Sequence, residues 1–191
     1  MTTNRPYHHG NLRQAVLAAA VDAITEVGPA GLSLRDLARR AGVSHAAPAH
    51  HFGDKAGVLT ALAAEGFQLL ADALDAAEQR THDFLEVGVA YVRFAVHHRA
   101  HFEVMFRPDL YRPDDPEVLA ARERATKALS GGIGSLPSGR AGPDPRIAGI
   151  AAWSLVHGFA TLWLNRALAP GLGDDPETVA RAVAAMLFRA P

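Results

Sequence analysis

Cysteine is absent from the 191 residues. The chain therefore holds no disulfide, no thiolate metal site and no cysteine nucleophile, which fits a reducing compartment. Lysine is scarce, with Lys55 and Lys127 the only two among 19 Lys+Arg. Those 19 meet 20 Asp+Glu, for a net charge of −1, so no global field draws the chain to nucleic acid or membrane. The opening MTTNRPYHHGN lacks the apolar stretch of a secretory signal, so a cytoplasmic protein is expected. There is no nucleophile elbow, no Gly-rich phosphate loop and no carboxylate–histidine metal motif. No run alternates with period two between turn signals, and no internal repeat is seen.

What is present is a globular composition, 49% apolar and 20% charged. The length suits one compact unit or two small ones. Ile147–Leu164 runs without a formal charge for the length of a spanning helix. It contains Ser154, His157, Thr161 and two glycines, so a helix buried on most sides of a soluble protein is expected instead. Charge is unevenly spread. Residues 1–57 carry Arg5, Arg13, Arg35, Arg39, Arg40 and Lys55 against Asp22, Glu26, Asp36 and Asp54, and hold five of the ten histidines. A mildly basic head on an acidic body suggests a polyanion partner.

The periodicity is helical throughout and predicts an all-α fold. Leu12, Val16, Ala19, Ala23 and Val27 mark a first helix, with Asn11 as its expected cap and Gln14 as capping-box partner. Short helices are predicted at Leu34–Ala41, capped by Ser33, and at about 45–51, capped by Ser44. A long one should cover Lys55 to about Arg80, followed by Thr81–His98, Ala100–Phe106, Pro116–Leu129, Arg146–Leu168 and Pro176–Phe188. Ser130–Pro145 is the main Gly/Pro/Ser-rich stretch.

The informative segment is Ser33–Lys55, SLRDLARRAGVSHAAPAHHFGDK. Two short helices are joined at Gly42-Val43-Ser44, where glycine can supply a left-handed turn. Leu34, Leu37, Ala38 and Val43 face inward and lock the pair, a helix-turn-helix pattern. In such a unit the second helix enters the major groove. Pro48 is compatible with the first helical turn, where no intrahelical donor is lost.

These residues resemble the TetR family of transcriptional regulators. The likeness is carried by the long first helix, SLRDLARRAGVS, the short helix ending His51-Phe52, and Asp54-Lys55 opening a long helix. Tyr7-His8-His9-Gly10-Asn11-Leu12 and Trp153-Ser-Leu-Val-His157-Gly158 resemble the subgroup whose C-terminal domain has a Trp-His-Gly signature. The resemblance implies a DNA-binding domain at 1–56 and a ligand-binding and dimerisation domain at 57–191. It implies that Arg35 reaches a base, with guanine the natural partner. His45, Ala46 and Ala47 would meet base edges, while Ser44, His50, His51 and Lys55 would lie at phosphates. The family often has tyrosine where this chain has Ala49, so one backbone contact fewer is implied.

Plainer readings stand beside these. Arg35, Arg39 and Arg40 could form a solvated helix face, and His50 with His51 a surface pair. Lys55 opposes the helix dipole where it stands, which asks for another reason for a cation there. His97 and His101 have the spacing of a two-histidine zinc site, but a helix break is expected between them. No metal or cofactor is expected. The ordinary reading puts His98 toward the interior and His97 and His101 at a helix corner.

In the body, Phe84, Tyr91, Phe94, Phe102, Met105, Phe106, Trp153 and His157 combine apolar area with a few polar handles. That suits core packing, and it also suits a cavity for an apolar or aromatic small molecule. The resemblance implies an effector there. One face of Ile147–Leu164 needs a partner, and Val179, Val183, Met186 and Leu187 line the last helix. A homodimer through the last two helices follows, reading a palindromic operator at a spacing of about 34–36 Å. The rival class is a helical-bundle hydrolase or metal enzyme using His97, His101 or His157.

Overall fold

The computed structural model describes residues 9–131 and 144–188. Tyr7, His8, most of the Ser130–Pro145 stretch and the side chain of Leu187 lie outside the described residues. Nine α-helices and one 3-10 helix, and no strand, are found among the described residues. They are α1 (His9–Val27), the 3-10 turn Pro29–Gly31, α2 (Leu34–Arg40), α3 (Ala47–Phe52) and α4 (Lys55–Thr81). Then come α5 (Phe84–His97), α6 (Arg99–Met105), α7 (Pro116–Ser130), α8 (Pro145–Leu164) and α9 (Pro176–Phe188). The chain divides into two compact units: Met1–Glu65 with Ala100–Leu119, and Gly66–Arg99 with Ala120–Pro191.

In the first unit, α1 buries Val16, Leu17, Ala20, Ala23 and Ile24, the helical spacing of the sequence. The expected cap at Asn11 falls on a side chain outside the described residues. Ser33 caps α2, its hydroxyl accepting from the Asp36 amide at 3.2 Å. Gly42, at φ 65°, then closes α2 in a Schellman turn. The Val43 amide donates to Ala38 O at 3.0 Å and the Gly42 amide to Arg39 O at 3.3 Å. Leu37 and Ala38 are fully buried under it.

The expected Ser44 cap is not formed. The helix begins at Ala47 with Ala46 in the cap position and no side-chain cap bond. Ser44 instead closes the preceding turn through its carbonyl, which accepts from the Ala47 amide at 3.0 Å. Pro48 sits buried in the first turn of α3, as its missing N–H allows.

In the second unit, α5 packs against α8 and α9, and α8 against α9. Leu85, Val89 and Ala184 form a buried cluster with Leu155 and Ala185 against it. Arg93 pairs with Glu177, and Arg181 with Glu86 at 2.7 and 2.9 Å, clamping α9 along α5. Two boundaries differ from the expectation. The break before α5 falls at His82 (φ 49°), after which the Asp83 carboxylate caps the helix through the Leu85 amide. Helix α8 stops at Leu164, not Leu168, because Arg166 turns left-handed (φ 53°) and the Ala167 amide reaches back to Leu162 O at 2.9 Å. No glycine advertises that stop in the sequence.

Among the described residues, two helices are long and apolar enough to cross a membrane, Lys55–Thr81 and Pro145–Leu164. The first is 72% buried over its apolar window, as a core helix should be. The second is only 22% buried, against the expectation of a helix covered on most sides. Ile147, Ile150, Trp153 and Leu162 remain exposed on it, and Met186 on α9.

Candidate functional site

The turn and α3 present a face whose side chains are turned outward. Arg35, Ser44, His45, Ala46, Ala49, His50 and His51 are exposed and Ala47 is partly so. Arg35 makes no hydrogen bond or ion pair among the described residues, unlike the two arginines after it. Arg39 donates to Asp36 (3.2 and 2.6 Å), and Arg40 spans Asp36 (2.6 Å) and Glu26 (3.0 and 2.7 Å). Arg40 thus fastens α2 to α1, and its guanidinium holds the Asp36 and Glu26 carboxyls below their usual range. Both arginines are engaged within the fold.

Lys55 has a structural partner. Its ammonium donates to Ala30 O at 2.7 Å, capping the 3-10 turn across α4's first residue. That supplies one reason for a cation at this helix start, and an ammonium has further donors to offer a phosphate.

In the second unit three predicted residues are brought together. Trp153 Nε1 donates to the Tyr91 hydroxyl oxygen at 3.2 Å, and that hydroxyl lies 2.9 Å from His157 Nδ1. An indole N–H can only donate, so the Tyr91 oxygen accepts from Trp153. Burial holds the His157 pKa below the ordinary value, which favours the neutral ring. Burial pushes the Tyr91 phenol up, keeping it a donor. Phe84 and Phe94 are buried on the same helix as Tyr91, and Phe94 stacks on His98 at 5.0 Å. Phe102, Met105 and Phe106 belong to the first unit, with the two rings in edge contact at 5.1 Å. An apolar seam lined by Val92, Leu155, Val156, Phe159, Ala180, Val183 and Ala184 has no room for a water-sized sphere.

The histidine corner is arranged otherwise than expected. His101 is the buried one, its Nε2 3.1 Å from Glu65 Oε2, while His98 is half-exposed. The break between α5 and α6 falls between His97 and His101, and His97 Nδ1 lies 2.9 Å from Arg93 O. No group of three or more metal-ligating side chains occurs among the described residues. Several linking pairs had no signal in the sequence. Asp54–Arg112, Glu65–His101 and Glu86–Arg181 join residues dozens of positions apart, beyond any local spacing rule.

A family model described as "Bacterial regulatory proteins, tetR family" matches residues 16–62. A second, "Tetracyclin repressor-like, C-terminal domain", matches residues 84–187, more than half of the chain. The chain belongs to the TetR family.

This TetR-family chain is similar to a solved protein of unknown function from Rhodococcus sp. RHA1, at 34% identity and TM-score 0.78, covering 97% of this chain and 98% of that one. It is similar to the TetR family transcriptional regulator PfmR from Thermus thermophilus, at 25% identity and TM-score 0.70, over 92% and 97%. The fold is shared with the transcriptional regulator FadR from Bacillus subtilis, solved with stearoyl-CoA, at 14% identity and TM-score 0.68, over 92% and 97%. No curated protein matches the chain. The TetR-family helix-turn-helix is α2, the turn and α3, and the helices from α5 onward fall in the C-terminal domain match.

Proposed function

We propose that this TetR-family regulator is a cytoplasmic homodimeric repressor released from a palindromic operator by a small apolar or aromatic molecule. DNA contacts would come from residues 1–56, and effector binding and dimerisation from 57–191. The observation that carries the reading is Arg35, exposed and without a hydrogen bond or ion pair among the described residues, beside the exposed Ser44, His45 and Ala46 that lead into α3. Arg35 would read a base pair, His45, Ala46 and Ala47 would meet base edges, and Ser44, His50, His51 and Lys55 would face phosphates. The exposed apolar residues of α8 and α9 support a twofold partner there.

Effector binding would draw on Tyr91, Trp153 and His157, with Phe84, Phe94, Phe102, Met105 and Phe106 as apolar surface. The stearoyl-CoA of the Bacillus subtilis FadR structure agrees with an effector that has a large apolar part. The switch would be a population shift through α4, which runs from the helix-turn-helix into the second unit. Effector and operator then weaken each other reciprocally.

The test is selection of a bound duplex from a randomised library by the full-length protein, followed by salt titration. Arg35→Ala is expected to relax preference at one base pair, by about 1–3 kcal/mol, and Lys55→Ala to weaken all sequences alike with a shallower salt slope. Equal effects of both changes on every sequence would overturn this division of roles.

A further inference from the structure

The segment between α6 and α7 carries no motif, and the proposed contacts with DNA make no use of it. It nonetheless belongs to the unit that holds the helix-turn-helix. Arg112 Nη2 donates to both carboxylate oxygens of Asp54 at 2.9 Å. The Arg112 amide donates to Thr60 Oγ1 at 3.0 Å, and that hydroxyl donates on to Ala56 O at 2.7 Å. Asp54 Oδ1 also accepts from the Gly57 amide at 2.8 Å, which is the N-terminal cap bond of α4.

The same corner is closely packed. A Cβ placed on Gly57 would lie 1.9 Å from Phe52 O, the last carbonyl of α3, and 3.0 Å from Arg112 Nη1. Arg112 therefore grips the point where α3 ends and α4 begins. The Arg112 and Asp54 side chains are 52% and 61% exposed, and exposed pairs contribute little to folding. Their consequence lies in where they fix the corner.

We propose that Arg112 is a positioning residue for DNA binding. Acting through Asp54, it sets how α3 meets α4, and so how Arg35, His45 and His50 are offered to the duplex. The proposal rests on the reading that this face binds DNA. A misplaced helix loses base and phosphate contacts together, so the loss is general across sequences.

The test uses the full chain and a duplex selected by the unaltered protein. Arg112→Gln and Asp54→Asn, the latter keeping a capping oxygen, should each weaken binding about fivefold without moving the melting temperature. The double variant should be no weaker than either single one, base preference should be unchanged, and Arg112→Lys should recover most of the loss. Arg112→Gln that binds as well as the unaltered protein sinks the proposal alone, as does a loss that only follows the melting temperature. If the unaltered protein selects no duplex, the DNA-binding reading falls and this proposal with it.

Discussion

Tyr91 shows how one buried hydroxyl orders its neighbours. It accepts from the Trp153 indole and pairs with His157 Nδ1, so three side chains share a single arrangement across α5 and α8. The sequence shows Trp153 and His157 one turn apart, but not that Tyr91, more than sixty residues earlier, stands between them. A charged His157 would be penalised by the burial that surrounds it. Because burial depresses the His157 pKa, the unfolded chain takes up this proton first as pH falls. The stability it contributes is whole above the ordinary 6.5 and is lost as pH drops from there toward the folded value. Melting followed between about pH 7 and pH 5 is expected to be less pH-dependent in His157→Gln than in the unaltered protein. Parallel curves would remove His157 from the account.

At the scale of elements, glycines near α3 do different work. Gly42 and Gly53 have positive φ and open space around a would-be Cβ, so alanine there meets only a backbone penalty, about 1–2 kcal/mol for a left-handed residue such as Gly42 and more at Gly53, whose ψ of −68° is that of a strained γ-turn. Gly57 is helical, but its Cβ would strike the Phe52 carbonyl at 1.9 Å. Gly57→Ala must push α3 off α4 and is expected to cost about 3 kcal/mol or more. Denaturant unfolding of the three alanine variants ranks them, and Gly57→Ala no worse than Gly42→Ala would contradict the packing described. The turn at Gly42 is legible from its residue type. The demand at Gly57 is not, because it arises from a neighbouring helix end.

For the whole molecule, the decisive feature is apolar surface that one chain leaves uncovered. Ile147, Ile150 and Met186 are 63%, 56% and 81% exposed on α8 and α9. A soluble monomer seldom keeps such a face bare. Sedimentation is expected to give twice the 20.3 kDa chain mass, and Ile150→Glu to return it to one chain while weakening duplex binding. A single-chain mass for the unaltered protein would remove the twofold assembly.

The order of helices, the capped α2 and the glycine turn followed from the sequence alone, because periodicity, caps and breakers act within a few residues. So did the family, through the spacing of Ser33–Lys55. Tertiary structure alone decided that Ser44 uses its carbonyl, that Lys55 holds Ala30, that His101 is buried against Glu65, and that Arg112 reaches Asp54. Each of those depends on which distant backbone or charge arrives beside the residue, and only the packed chain brings them within bonding distance.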